Sequence, residues 1–331
     1  MKDLSIILPV YNGENYIERC IKSILQTTGV DYEIIIINDA STDHTETKIK
    51  KLENDSITII SLSENKGVSY CRNLGIEKAK GKYITFIDAD DYIEKEMYSI
   101  LLQKAQEEDL DVCYCNNYEL FEKTGKIVKS KYQLKNKIVK QPEIMKLYLT
   151  DQISRACWDK IYKADLLKNN IKVEEELAVG EDILFVLDVM KESKKIGVVD
   201  SYFYYYVQQE KSVMHTISPK FLQFKKVIQK TLEKEYETMR LAYSTEYEYF
   251  QGEMLVRGIH SISTLANKEN KKQAIQYMTE LVDKKTLKQW IKNPYGSRLV
   301  KIEIQILLLF GIRMHLLLMP IYKYMRGKLR K

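Results

Sequence analysis

The chain has 331 residues, of which 45% are hydrophobic, 30% charged and 10% aromatic, with 13 Gly and 5 Pro. Such a composition excludes a disordered, collagen-like or low-complexity chain, and the length suits one large domain or two ordinary ones. The net charge of +6 is a local property: residues 298–331 hold eight Lys or Arg and one acid, the rest of the chain balances to −1, and a general nucleic-acid binder is not expected. Five cysteines, odd in number and scattered, together with a Met1 that leads directly into a strand-like run, point to the reducing cytoplasm. Cys113-x-Cys115 is too tight for a zinc knuckle and reads as strand alternation.

Leu4 to Val10, Glu33 to Asn38, Ile57 to Ser61 and Tyr83 to Ile87 read as buried strands, because each is an apolar, β-branched run bounded by polar turns. Between them Glu14 to Gln26, Asp43 to Leu52 and Val68 to Ala79 read as helices. The first of these sets Tyr16, Ile17, Cys20, Ile21, Ile24 and Leu25 on one face. This alternation predicts an α/β fold with a mixed, mainly parallel, Rossmann-like sheet and helices on both faces.

A fourth helix, about Lys95 to Glu107, leads to a strand at Asp111 to Leu120. Polar turns around Gly125 and Asn136 suggest a strand insertion, Pro142 sits at a helix start, and Trp158 to Asn169 is expected to be a short helix. Gly180-Glu181-Asp182 introduces a helix over Ile183 to Ser193, followed by strand-like Ile196 to Val199 and Tyr202 to Val207. Beyond Pro219 the pattern is helical. The expected organisation is a catalytic domain over 1–218, with halves 1–120 and 121–218, then a helical region 219–331 ending in a basic amphipathic tail, 298–331.

Ligands of open α/β sheets bind at the carboxyl ends of the strands. Asp88-Ala89-Asp90-Asp91 lies at such an end, and its three carboxylates repel one another unless a cation sits between them. A hard divalent ion, Mn2+ or Mg2+, completed by water and diphosphate oxygens would resolve that repulsion; ordinary helix capping by Asp90 or Asp91 is the competing reading. No G-x-G-x-x-G follows the first strand and no G-x-x-x-x-G-K-[ST] occurs, which disfavours dinucleotide oxidoreductases and P-loop enzymes. Tyr11 can offer a ring face to a base, and Asp39 can accept from an imide N–H or a ribose hydroxyl, although Asp39 also reads as a plain turn residue.

The succession Leu8-Pro9-Val10-Tyr11-Asn12, Asn38-Asp39-Ala40-Ser41-Thr42-Asp43, Asn65-Lys66-Gly67-Val68-Ser69, Arg72-Asn73-x-Gly75, Asp88-Ala89-Asp90-Asp91 and Gly180-Glu181-Asp182 resembles the family 2 glycosyltransferases of the GT-A fold. The motifs cover about residues 4–215 in the family's order and spacing. The resemblance implies an inverting transferase that takes a nucleotide-activated sugar, usually a UDP-sugar, to a hydroxyl of a glycan or lipid-linked saccharide. It places Pro9, Tyr11 and Asp39 around the base, Asp88 near ribose and metal, and Asp90 on the metal; Asn12, Asn65, Arg72 and Ala89 join the nucleotide-sugar set.

Inversion needs a base opposite the leaving group to take the acceptor's proton, and Asp182, with Glu181 beside it at a helix start, is the candidate. Some family members place a histidine near the metal and diphosphate in the region of His215; a solvated loop histidine is the plain alternative. Trp158-Asp159-Lys160 resembles a segment on the acceptor side, which makes Trp158 and Lys160 acceptor-side candidates.

Ile304 to Tyr322 has only Gln305, Arg313 and His315 as strongly polar residues. Arg313 at its centre would cost about 2.5–3.5 kcal/mol in a bilayer, and Gly311 and Pro320 interrupt the helix. Interfacial helices followed by Lys323, Arg326, Lys328, Arg330 and Lys331 on an anionic membrane surface are therefore expected. Packing on the catalytic domain or on a second subunit is the alternative, which leaves a homo-oligomer open. The expected setting is the cytoplasmic face of the cell membrane, in cell-surface polysaccharide synthesis. Two other classes compete: a catalytically idle nucleotide-sugar-binding scaffold, and a sugar nucleotidyltransferase, whose usual Gly-rich basic triphosphate loop the sequence lacks.

Overall fold

A computed structural model of the chain describes residues 2–130, 137–169, 171–209, 217–233 and 237–329. It divides into two compact units: Met1–Tyr148, Gln152–Glu176 and Glu181–Gln209 form the first, and Leu149–Asp151, Leu177–Gly180 and Glu210–Lys331 the second.

The first unit is built on one ten-stranded sheet of β1 (Leu4–Val10), β2 (Tyr32–Asn38), β3 (Ile57–Ser61), β4 (Tyr83–Phe86), β5 (Tyr92–Ile93), β6 (Val112–Phe121), β7 (Lys126–Lys129), β8 (Ile138–Lys140), β9 (Lys160–Lys163) and β10 (Lys195–Gln208). The order is β3-β2-β1-β4-β9-β6-β10-β5, with β7 on β6 and β8 on β10. β1 runs parallel to β2 and β4, β2 to β3, and β6 to β10, whereas β9 is antiparallel to both its neighbours. Every residue of β1 is buried, which explains its unbroken apolar run: a central strand covered on both faces has no polar side to alternate with.

The connections between strands carry α1 (Ile17–Leu25), α2 (Thr45–Lys50), α3 (Val68–Lys78), α4 (Met97–Glu107), α5 (Glu143–Leu149), α6 (Ala164–Lys168) and α7 (Glu181–Glu192). α1 buries Ile17, Cys20, Ile21 and Ile24, the apolar stripe legible in its spacing. α3 lies tight on β1: a Cβ at Gly75 would stand 2.4 Å from Ile7 Cγ2, so glycine at that position sets the closeness of the helix and with it the position of Arg72, one turn earlier. Cys113 and Cys115 are both buried thiols in β6, in line with strand alternation.

Two expectations are corrected. Trp158 to Asn169 is not one helix: Lys160–Lys163 pairs with both β4 and β6 as β9, and only Ala164–Lys168 is helical. Four residues inserted between two strand edges gain ladder hydrogen bonds on both sides, which outweighs their local helical pattern. The two strand-like runs after α7 are one strand, β10, whose register against β6 shifts between Val199 and Tyr202 and again between Tyr202 and Tyr204.

β1 and β4 are adjacent, yet the chain leaves β1 for β2 on one side and enters β4 from β3 at the far edge. This is a topological switch point, where the loops after β1 and β4 part and leave a crevice at the strand ends.

The second unit is helical: a short 3-10 turn (Pro219–Leu222) precedes α8 (Gln223–Glu233), α9 (Glu237–Ala242), α10 (Ser244–Leu265), α11 (Lys271–Leu281), α12 (Lys284–Lys292) and α13 (Arg298–Leu329). α10 is its axis and buries Tyr247, Phe250, Met254, Leu255, Ile259 and Ile262. Gly252 admits Trp290 of α12, since a Cβ there would stand 2.4 Å from the Trp290 Cβ. Asp283 caps α12, its Oδ1 accepting the Thr286 N–H at 3.0 Å. α13 leaves helical dihedrals at Gly311 (φ 79°, ψ 173°) and is in effect two helices.

Candidate active site

The loops after β1 and β2 are knitted together. Asn12 Oδ1 accepts the Thr42 N–H at 2.8 Å, the Asn12 N–H donates to Ser41 Oγ at 3.0 Å, and the Gly13 N–H donates to Thr45 Oγ1 at 2.8 Å. Asn12 and Ala40 sit in the left-handed region, at φ 50° and 56°, a strain that the surrounding hydrogen bonds hold. Asn12, expected to contact the nucleotide sugar, is exposed and also latches the two loops together. Tyr11 stands 51% exposed beside it, with its ring available to a ligand. Pro9, expected near the base, is instead buried within β1 opposite Ile37.

Asp39 is buried, and its carboxylate accepts the backbone N–H groups of Lys66 at 2.7 Å and Gly67 at 2.8 Å. Asn65 Nδ2 donates to the Asp39 carbonyl at 3.3 Å. Gly67, at φ 87°, is where glycine is required, so Asn65-Lys66-Gly67 is the loop that Asp39 clamps at the start of α3.

The acidic cluster separates into three environments. Asp91 is fully buried, accepts the Tyr204 O–H at 2.6 Å and the Val207 N–H at 2.7 Å, and is held well above the usual carboxylate range by burial and then by Asp90; it anchors β10 to the loop. Asp90 accepts from Gln209 Nε2 at 3.1 Å, and desolvation, followed by Asp88, pushes its pKa up to about 6. Ala89, between Asp88 and Asp90, is partly exposed. Asp88 accepts from Arg72 Nη2 at 2.9 Å and donates its own N–H to Tyr204 Oη at 3.3 Å.

Arg72 is buried and joins two parts of the site: besides Asp88, its Nη1 meets Glu181 Oε1 at 3.1 Å, at the start of α7. Asp182 accepts the Ile183 N–H at 2.8 Å. Desolvation, then the neighbouring Glu181, pushes the Asp182 carboxyl up to about 7, against the opposing pull of Arg72. The two acids at the head of α7 are therefore unlike: Glu181 is ion-paired with Arg72, and the Asp182 carboxyl is pushed up to about 7.

Trp158 is 9% exposed and stacks on Tyr204 (centroids 4.2 Å apart) and Tyr206 (5.4 Å), so its faces meet tyrosines of β10. Lys160 is corrected as an acceptor-side contact: it is fully buried, its ammonium bound to Asp159 at 2.5 Å and set over the Tyr114 ring. His215 lies outside the described residues. Among the described residues no three or more His, Cys, Asp or Glu side chains are grouped to hold a metal ion. Sequence reasoning missed Tyr204, Gln209 and Arg19, whose Nη2 donates to the Asp90 carbonyl at 2.7 Å. Tyr204 was one among 24 tyrosines, and only the sheet register singles it out.

An open α/β sheet with carboxylates gathered at its switch point is the arrangement that the resemblance to GT-A transferases implied. Residues 5–169 match the family model "Glycosyl transferase family 2". EpsJ of Bacillus subtilis (strain 168), described as an uncharacterized glycosyltransferase, is 29% identical over 254 residues, which cover 74% of this chain and 70% of EpsJ. The minor teichoic acid biosynthesis protein GgaB of the same strain is 30% identical over 214 residues, 63% of this chain and 23% of GgaB. Among solved structures, residues 1–349 of S. aureus TarS in complex with UDP-GlcNAc superpose with a TM-score of 0.69 at 22% identity, covering 97% of this chain and 92% of that one. The chain belongs to the family 2 glycosyltransferases and has the GT-A fold.

Proposed function

We propose that the protein is an inverting transferase that moves a sugar from a UDP-sugar to a hydroxyl of a glycan or lipid-linked saccharide in cell-surface polysaccharide synthesis. The observation that carries this reading is the bridge Asp88–Arg72–Glu181, centred on the buried Arg72, which ties the acidic strand end to the head of α7, where Asp182 stands. A like-folded protein that binds UDP-GlcNAc supports the donor class, and a relative named for teichoic acid synthesis supports the setting. With a pKa near 7, Asp182 combines an ionised fraction at neutral pH with enough basicity to take a hydroxyl proton. Tyr11 offers its exposed ring to the base. Asp39 shapes the loop around the base and can accept its imide N–H through lone pairs that the Lys66 and Gly67 amides leave open.

Asp90 fits a divalent cation by its chemistry: desolvation and the negative Asp88 raise its affinity for a proton, and hence for a hard cation. Arg72 occupies Asp88 Oδ1, which leaves Oδ2 for the same ion. Mn2+ or Mg2+ held there would neutralise charge developing on the diphosphate. The test is a panel of UDP-sugars, with release of UDP and the anomeric configuration of the product followed by NMR. Transfer with inversion that requires the metal, and that Asp90→Asn abolishes, is the expected result. A retained anomeric configuration refutes inversion, and undiminished metal-dependent turnover in Asp90→Asn removes Asp90 from the metal.

The tail bears on where the reaction occurs. Arg298–Tyr322 is long and apolar enough to cross a membrane, with 22% of its most apolar stretch buried, but the break at Gly311 divides it. Leu309, Phe310, Met314, Leu317 and Ile321 are exposed, and Arg313, Lys323, Arg326, Lys328, Arg330 and Lys331 accompany them in sequence. We infer that this segment lies on an anionic membrane surface, apolar side chains in the lipid boundary and bases on the headgroups. Changing the last five bases to Gln should weaken vesicle binding by up to about 1 kcal/mol per charge, and added salt should mimic the effect. A full-length protein that does not float with anionic liposomes makes the tail a packing element.

A further inference from the structure

The helical unit contains a cavity of about 440 Å3 that has no part in the donor site; its lining includes Asp151, Tyr249, Glu253, Arg257, His260 and Trp290. That volume lies in the ordinary range of small-molecule sites, roughly 300–1,000 Å3, and has room for about one or two sugar rings. Three features set it apart from a packing defect. Trp290 contributes to the lining although it is only 1% exposed, and its indole N–H is buried with no acceptor among the described residues. Arg257 is held ready, Nη2 on Asp151 Oδ2 at 2.7 Å and Nε 3.6 Å from Glu253 Oε1. Asp151 itself sits at φ 61°, an uncommon backbone conformation for a residue with a side chain.

The charges indicate the occupant. Two carboxylates would repel an anion such as a phosphate, their pairing with Arg257 already offsets most of the charge a cation would seek, and a purely apolar molecule would cover these polar groups without hydrogen-bonding to them. A neutral molecule rich in hydroxyls satisfies donors and acceptors together, because each hydroxyl both gives and accepts a hydrogen bond. We propose that this cavity binds one or two neutral sugar residues, as a saccharide site separate from the transferase centre. That the sugar is part of the acceptor chain rests on the function proposed above; the binding itself does not.

The chain has two tryptophans, so in full-length Trp158→Phe the emission of Trp290 alone reports the cavity. Methyl glycosides of glucose, galactose, N-acetylglucosamine and N-acetylgalactosamine, together with maltose and cellobiose, are titrated with UDP saturating, and saturation-transfer NMR is run on the same samples. At least one sugar should give a saturable change, weakened about tenfold or more by Arg257→Gln and by the near-isosteric Glu253→Gln, while UDP affinity stays at the wild-type level. If Arg257→Gln does not fold, Glu253→Gln decides alone. No response to any sugar, or equal binding in the folded variants, overturns the proposal; so does displacement of the sugar by inorganic phosphate. UDP-sugar hydrolysis by the wild-type chain and by the Arg257 and Glu253 variants with Trp158 retained separates this outcome from failure of the transferase reading.

Discussion

Asp182→Asn should lower transfer by about a hundredfold or more and leave UDP affinity near the wild-type value, because the amide keeps the shape of the carboxylate and loses its basicity. The pH dependence makes the expectation sharper. As the proposed base, Asp182 would accept a proton from the acceptor only when ionised, and its carboxyl is pushed up to about 7, so wild-type kcat/KM should rise with pH through that region and fall below it. The residual activity of Asp182→Asn should lack this acid limb. Transfer above a tenth of wild type, or an unchanged acid limb, would exclude Asp182 as the base. Glu181, whose Oε1 faces Arg72 at 3.1 Å, would then be the next candidate.

The parts of this arrangement that follow from local pattern were legible in the sequence. β1 to β4 and the helices between them follow from apolar runs and helical spacing, and the strand ends disclosed where polar residues gather. What could not be read was the division of labour among like residues. Asp88, Asp90 and Asp91 are neighbours in sequence, yet one is ion-paired, one titrates near 6 and one is a buried anchor, because Arg72, Gln209 and Tyr204 reach them from 16, 119 and 113 residues away. Lys160 was misjudged for a related reason. A lysine beside a tryptophan suggests a ligand surface, and only the pairing of β9 between β4 and β6 reveals that its side chain is enclosed. Pro9 and Asn12 show the same limit: their motif marks the loop after β1, while the burial of Pro9 in the strand and the hydrogen bonds from Asn12 to the loop after β2 are visible only in the fold.

Replacing Arg72 should have the widest effect of any single change in the unit. Arg72→Met keeps much of the side-chain volume and removes the cation shared by Asp88 and Glu181, so two carboxylates lose their partner and Asp182 loses the charge that opposes its protonation. Breaking a buried pair from one side costs about 3–5 kcal/mol; a value near 3 is expected at neutral pH, because Asp88 retains contact with water. The loss should shrink as pH falls, since the orphaned carboxyls take up protons and cease to be buried charges. In the same variant the acid limb of transfer should move above about 7, because removing a positive neighbour makes the Asp182 carboxyl still harder to ionise. Arg72→Lys should recover part of the stability by restoring the charge, and little of the transfer, because one ammonium cannot reach both acids as the guanidinium fork does. Urea unfolding at two pH values and a pH–rate profile measure these effects. An Arg72→Met protein as stable as wild type, with its acid limb unmoved, would show that the bridge neither holds the head of α7 to the acidic loop nor tunes the base.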